Sequence, residues 1–379
     1  MKNFDVYPLF EIEPVKAAGS WLWDSNGNKY LDLYGGHAVI SIGHTHPHYV
    51  EKITGQLNKI GFYSNSVKIP LQVELAKKLG KLSGYDDYSL FLCNSGAEAN
   101  ENALKMASFH TGKKKIISFT KGFHGRTSLA VAATDGPSMQ APVNQTENTI
   151  LLPFNDIESL EKNFNDEVAA VIIEGIQGVG GVKIPTNEFL KKARELCDKF
   201  GAVLILDEVQ SGYGRSGKFF AHQHSDVKAD IISMAKGMGN GFPVAGIILS
   251  PTFKAVHGML GTTFGGNHLA CAAAIAVLDV IKDENLISNA ENIGNYLMEK
   301  VKTLKGVRSV RGLGLMVGIE LEIPCASVRK DLLNEHNMFT GSSSDKNTIR
   351  ILPALNVQKE EVDLFLQAFE SVLSKNLAK

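Results

Sequence analysis

The amino-acid sequence predicts an α/β fold, a mostly parallel sheet wrapped by helices in a large domain, with a smaller α+β domain beside it. Three observations predict it. The chain is 379 residues long, more than one compact core holds and suited to two domains. Short apolar runs alternate with amphipathic helical stretches, with no internal repeat and no low-complexity linker, the pattern of strands joined by helical crossovers. Each run is followed at once by polar or glycine-rich residues, and in such sheets the ligand crevice lies beyond the carboxyl ends of the strands.

Bulk properties narrow the class of function. A formal net charge of −1 gives no long-range field to gather nucleic acid or an acidic membrane surface. Cys93, Cys197, Cys271 and Cys325 are far apart, with no C-x-x-C pair and no zinc-site spacing, which predicts reduced thiols in a cytoplasm. The opening MKNFDVYPLFEIEPVK carries acidic residues throughout and lacks the apolar core of a signal peptide. No apolar run is long enough to cross a bilayer. A cytoplasmic enzyme of small molecules is expected.

The expected strands are Ser89–Leu92, Ile116–Phe119, Val168–Ile173, Val203–Leu206 and Ile231–Met234. After the first comes Cys93-Asn94-Ser95-Gly96-Ala97-Glu98-Ala99-Asn100-Glu101, opening a helix that runs to about His110. Free amides at such a helix start bind phosphate; Ser95 and Glu98 also suit a capping box, which needs no ligand. After the second, Thr120-Lys121-Gly122-Phe123-His124-Gly125-Arg126-Thr127 sets a ring and a cation between glycines. Phe123 can stack on a flat cofactor and Arg126 can hold a carboxylate through two parallel hydrogen bonds; a core Phe and a solvated Arg are the plainer alternatives.

The third and fourth strands lead into Glu174-Gly175-Ile176-Gln177-Gly178 and Asp207-Glu208-Val209-Gln210-Ser211, each with a carboxylate directly at the strand end. A buried acid needs a partner, and a protonated pyridine nitrogen suits Asp207, as a structural salt bridge also would. The fifth strand ends in Lys236-Gly237-Met238-Gly239. Most lysines are surface charges, but one that follows an apolar strand among glycines can lose enough pKa to become a nucleophile. Together these features are what a pyridoxal phosphate site requires, with Lys236 holding the cofactor as a Schiff base.

At this point the chain resembles the class III (ornithine-type) aminotransferases of pyridoxal phosphate fold type I, over nearly its whole length. The resemblance rests on Asn94-Ser95-Gly96-Ala97-Glu98-Ala99-Asn100, Phe123-His124-Gly125-Arg126, Glu174-Gly175-Ile176-Gln177, Leu206-Asp207-Glu208-Val209-Gln210, Ala235-Lys236-Gly237 and Gly261-Thr262-Thr263-Phe264-Gly265-Gly266-Asn267. Within that family it looks most like the N-acylornithine aminotransferases of arginine biosynthesis.

The resemblance implies roles. Gly96 and Ala97 hold the cofactor phosphate by their amides, Phe123 stacks on one ring face and Val209 covers the other. Asp207 pairs with the pyridine nitrogen and Gln210 reaches the ring hydroxyl; Ser95, His124 and Glu174 complete the cofactor-binding set. Thr263 binds the phosphate of the neighbouring subunit, so the unit is a homodimer with shared sites. Thr262 lies near the substrate, Arg126 receives the α-carboxylate of an N-acylornithine, and Arg350 binds 2-oxoglutarate. Lys236 is first anchor, then general base, in ping-pong transfer that yields glutamate and an N-acylglutamate semialdehyde.

One departure stands out: ornithine-type relatives commonly carry a glutamate after Ile-Gln-Gly that gates the second arginine, where this chain has Val179. An unpaired Arg350 suits a donor whose acyl group carries its own carboxylate, N-succinylornithine rather than N-acetylornithine. Residues 1–45 and 267–379 are expected to build the small domain and 46–266 the large one, with 313–320 as a single strand. His44, His46 and His48 lack a carboxylate or cysteine set nearby in sequence, so no metal is expected there. The rival readings are an aminotransferase for free ornithine, 4-aminobutyrate or an acylated lysine; a decarboxylase, aminomutase or racemase on the same scaffold; and a non-catalytic pyridoxal phosphate-binding protein.

Overall fold

The computed structural model describes residues 1–378. The chain opens with β1 (Pro14–Ala18), β2 (Trp21–Asp24) and β3 (Lys29–Asp32), an antiparallel meander in which β2 pairs with both neighbours. Seven strands then form the central sheet: β4 (Ser89–Cys93), β5 (Lys115–Phe119), β6 (Thr149–Leu152), β7 (Val168–Glu174), β8 (Val203–Asp207), β9 (Ile231–Met234) and β10 (Ala245–Leu249). Their order is β4-β10-β9-β8-β7-β5-β6, and β5 to β9 run parallel. Every residue of β7, β8, β9 and β10 is buried. Strands covered on both faces need apolar residues at every position, which is why they read as continuous runs.

The five predicted strands stand within one residue of their observed ends. β6 and β10 were not foreseen. β10 is antiparallel to both β9 and β4, because the short connection Ala235–Val244 carries no crossover helix and can only return the chain beside itself. Consequently the start of β10 lies at the same sheet edge as the carboxyl ends of its neighbours.

The helices are capped as the sequence suggests. Gly96–Thr111 and Asn187–Phe200 begin on Ser95 and Thr186, whose hydroxyls accept the amides of Glu98 and Phe189. They end on Gly112 and Gly201 at φ 70° and 60°, a left-handed stop that favours glycine. His268–Asp283 is almost wholly buried and packs against Pro47–Leu57 and Pro70–Ser83.

The remaining strands are β11 (Val307–Leu313), β12 (Met316–Leu321), β13 (Met338–Phe339) and β14 (Thr348–Ile351). β11, β12 and β14 form an antiparallel sheet, whereas β13 crosses to pair in parallel with β3. The expectation of one strand over 313–320 is corrected: the chain turns at Gly314-Leu315. Gly314 sits at φ 54° with room for no side chain, since a Cβ there would lie 2.6 Å from the Arg215 carbonyl oxygen. His44, His46 and His48 face three separate carboxylates, Asp32, Glu284 and Asp279.

Candidate active site

The loops after β4, β5, β7, β8 and β9 converge on a cavity of about 390 Å³, closed on one side by Phe242, Pro243 and Val244 before β10. Asp207 ends β8 at its floor, 3% exposed. Its Oδ2 accepts hydrogen bonds from Asn100 Nδ2 and His124 Nδ1, both at 2.7 Å, and its Oδ1 accepts the Val209 amide at 2.9 Å. Asn100 is itself held by Ser233, whose hydroxyl donates to Asn100 Oδ1 at 2.6 Å. Burial disfavours the charged ring of His124, but the hydrogen bond and charge of Asp207, with Glu174 behind, outweigh it and hold its pKa above the usual value. The proton on His124 is thus favoured by the Asp207 carboxylate that it faces at 2.7 Å.

Lys236 follows β9 with φ 47°, a left-handed conformation costly for a side-chain-bearing residue. Among the described residues its amine has no hydrogen bond or ion pair. Burial lowers its pKa, opposed by Asp207 and Glu174 and reinforced by Arg350. An amine held toward its neutral form, unpaired and facing a cavity is a nucleophile and a proton carrier.

Residues Ser95, Gly96 and Ala97 line the same cavity. Ser95 Oγ takes the Glu98 amide at 3.2 Å, while the amides of Gly96 and Ala97 have no acceptor among the described residues. The other half of a capping box is absent: Glu98 Oε2 accepts from the Asn94 amide at 2.8 Å instead. A Cβ at Gly96 would lie 2.7 Å from Val209 Cγ1, so the cleft between them is open only because residue 96 is glycine. Phe123, Val209 and Gln210 also line the cavity. Buried carboxylate, free helix-start amides, apolar walls and an unpaired amine fit a flat, phosphorylated pyridinium aldehyde.

Glu174, ending β7, accepts the amides of Phe123 at 3.0 Å and Gly178 at 3.1 Å. Burial pushes its pKa up to about 7, with the His124 charge opposing and Asp207 assisting. Below the ordinary glutamate range both folded and unfolded chains hold this proton. As pH rises toward 7 the unfolded chain releases it first, so this group costs the fold stability over that window. Glu174→Gln removes the cost. Thermal denaturation of the cofactor-free protein is expected to show the variant's advantage over wild type growing from about pH 5 to about pH 8; a constant difference would contradict the assignment.

Arg126 lines the cavity, is exposed and has no carboxylate partner among the described residues. Arg350 is 4% exposed. It donates through Nε to the Ser342 carbonyl, through Nη1 to Gln210 Oε1 at 3.3 Å and through Nη2 to the Tyr34 hydroxyl at 3.0 Å. All three acceptors are neutral, and burial lowers its pKa. Val179 lines the cavity where the ornithine-type pattern has its glutamate. Tyr34 precedes a turn in which four successive residues, Gly35 to Ala38, have φ between 54° and 70°; the His37 carbonyl there accepts from Gln210 Nε2 at 3.1 Å.

Three predicted residues, Arg350, Thr262 and Thr263, lie outside the cavity lining. Thr262 Oγ1 accepts from Asn94 Nδ2 at 3.3 Å, next to the site, and Thr263 is exposed on the loop before Asn267. Sequence reading missed Asn100 as the support of Asp207, although a serine inside the apolar run Ile231-Ile232-Ser233-Met234 signalled a buried polar partner. Tyr34 and Phe242 carried no signal, since the turn and the reversed strand that place them had none.

The sequence matches the family model of class III aminotransferases over residues 5–373. It is similar to the acetylornithine aminotransferase of Archaeoglobus fulgidus, 42% identical with 94% of each chain covered. That of Bacillus cereus is 39% identical, covering 99% of this chain and 98% of its own. Among solved structures, the ornithine aminotransferase of Toxoplasma gondii superposes with a TM-score of 0.92 at 27% identity, covering 99% of this chain and 93% of its own. The acetylornithine aminotransferase of Elizabethkingia anophelis gives 0.84 at 30%, covering 98% and 96%. With a lysine and an aspartate at adjacent strand ends and a match across nearly its whole length, the chain belongs to the class III aminotransferases.

Proposed function

We propose that this enzyme transfers the δ-amino group of an N2-acyl-L-ornithine to 2-oxoglutarate, giving an N-acyl-L-glutamate 5-semialdehyde and L-glutamate, in arginine biosynthesis. The observation that carries the reading is the unpaired, pKa-depressed Lys236 beside the Asp207–His124 pair, in a chain about 40% identical over its length to acetylornithine aminotransferases. Pyridoxal phosphate is the cofactor, and when bound it supplies an electron sink that makes the carbon bearing the substrate nitrogen acidic.

The chain's own residues do the rest. Lys236 would hold the cofactor through Nζ and, once free, would be the group that moves the proton. Asp207 would face the ring nitrogen, and His124 and Asn100 orient its carboxylate through their hydrogen bonds. The Gly96 and Ala97 amides would take the phosphate, with Ser95 beside them; Phe123 and Val209 would shield the ring from water, and Gln210 and Glu174 line the same cavity. Arg126 takes the α-carboxylate of the donor, and Arg350 that of 2-oxoglutarate.

The same reading includes a homodimer, in which Thr263 reaches the partner's phosphate site and Thr262 the substrate. Exposed Leu57, Ile60, Phe62, Tyr63 and Phe264 support it as an apolar face for a second copy. The division into 1–45 and 267–379 against 46–266 belongs to it too, supported by β13 pairing with β3. No described helix is long and apolar enough to cross a membrane; a cytoplasmic setting is favoured by four buried free cysteines.

A donor carrying a second carboxylate, such as N-succinylornithine, is favoured by Val179 and by the absence of any carboxylate partner for Arg350 among the described residues. The test is the visible spectrum of the purified protein as each donor is added without keto acid. Loss of the cofactor band with growth of the amine form is expected, with N-succinylornithine ahead of N-acetylornithine. Equal turnover removes the dicarboxylate preference, and no change with either removes the donor assignment.

A further inference from the structure

Arg215 lies in the loop after β8 and is 2% exposed, yet no carboxylate pairs with it among the described residues. Instead its guanidinium gathers main-chain carbonyls from three distant segments. Nη1 donates to Pro353 and, at 3.2 Å, to Leu315, while Nη2 reaches Ile40 at 3.5 Å. In return the Arg215 carbonyl accepts the Leu315 amide at 2.9 Å. Burial pushes its pKa down to about 10, with Asp32 opposing, so it remains charged at neutral pH.

The three segments are those that carry the Arg350 pocket. Pro353 follows β14, which bears Arg350, and the Leu352 amide is tied to the Leu33 carbonyl at 2.8 Å, one residue before Tyr34. Ile40 closes the left-handed turn after Tyr34 through its own amide to Gly35 O at 2.9 Å. At Gly35 the backbones come so close that a Cβ would lie 2.9 Å from Leu352 O and 3.3 Å from Ile40 O. Carbonyl oxygens converging in a dry interior repel one another unless a donor with several N–H groups lies among them. A planar guanidinium spreads its N–H groups over separate nitrogens that reach apart, whereas an ammonium offers three from a single atom.

We propose that Arg215 is a positioning residue for the acceptor: by clamping the Pro353, Leu315 and Ile40 carbonyls it sets the distance between Arg350 and Tyr34, and so the affinity for the 2-oxo acid, without touching substrate. The proposal rests on the reading that Arg350 takes the carboxylate of 2-oxoglutarate. The Arg215 guanidinium bonds none of the loops that carry Lys236, Arg126 and the Gly96–Ala97 amides, so the donor half of the cycle is expected to be independent of it.

The test separates the two half-reactions of the full-length, cofactor-loaded enzyme by single-turnover absorbance. N2-acetyl-L-ornithine is added to the loaded form, and 2-oxoglutarate to the amine form. For Arg215→Lys and Arg215→Met the half-saturating 2-oxoglutarate concentration is expected to rise about tenfold or more, as loss of a charged hydrogen bond implies. The limiting rate and the donor half-reaction are expected to stay within about twofold. Gly35→Ala, which pushes the same segments apart, is expected to act alike and serves if the Arg215 variants do not fold. Equal damage to both halves, or to neither, overturns the proposal. Arg350→Gln distinguishes the two levels: if it leaves 2-oxoglutarate binding unchanged, the Arg350 reading fails and Arg215 with it. If it weakens binding while the Arg215 and Gly35 variants do not, only the positioning role fails.

Discussion

Lys236→Ala is expected to lower kcat by about a thousandfold or more, because one substitution removes both the covalent anchor and the general base. Among the described residues that line the cavity, Lys236 is the only one with an amine. The variant is expected to fold, since Nζ makes no hydrogen bond or ion pair among the described residues. Removing it also relieves the burial that lowers its pKa. Its cofactor, held without a covalent link, should wash out on dialysis and be absent from the intact mass after borohydride treatment. A variant that retains reducible cofactor and transfers the amino group at the wild-type rate would show that another residue holds it.

Asp207→Ala is expected to give the second largest loss, about a hundredfold to a thousandfold in kcat, as the ring nitrogen loses the carboxylate that keeps it protonated. Here the fold suffers as well. His124 Nδ1 and Asn100 Nδ2 lose an acceptor that each holds at 2.7 Å, and breaking such a buried ion pair costs about 3–5 kcal/mol. His124 should then release its proton, because only burial and the more distant Glu174 would act on it. Reading activity, melting temperature and the His124 NMR titration together separates the chemical loss from the structural one. Unchanged activity with a lowered melting temperature would leave Asp207 as a salt-bridge partner alone.

Much of this site was legible in the sequence because its main groups follow directly on buried parallel strands. The apolar runs ending at Leu206 and Met234 fixed where Asp207 and Lys236 stand to within a residue, and parallel pairing then brings neighbouring strand ends together. What escaped notice depends on chain reversals. Phe242 reaches the cavity only because β10 returns antiparallel, and Tyr34, next to a turn of four left-handed residues, meets Arg350 from a part of the chain far away in sequence. The hairpin at Gly314 was hidden inside what reads as one apolar strand, since Leu315 is buried like its neighbours. The Ser95–Glu98 pattern was half right: the serine caps, while the glutamate satisfies Asn94. Arg215 showed nothing at all, because its partners are main-chain oxygens and leave no trace in side-chain patterns.

The contact between Arg350 and Tyr34 joins residues 316 positions apart in sequence. On a ribosome, strands β4 to β10 emerge together and can pair within a span that ends at Leu249, whereas Tyr34 must wait for a partner about 100 residues later still, at a synthesis rate of roughly 5–20 residues per second. The residues that line the cavity, Val39 to Val244, have thus all been made before Arg350 is. A chain cut short before β14 contains Lys236 and Asp207 but lacks Arg350, so on the proposed reading premature termination removes the acceptor's arginine while leaving the lysine and its aspartate in the sequence.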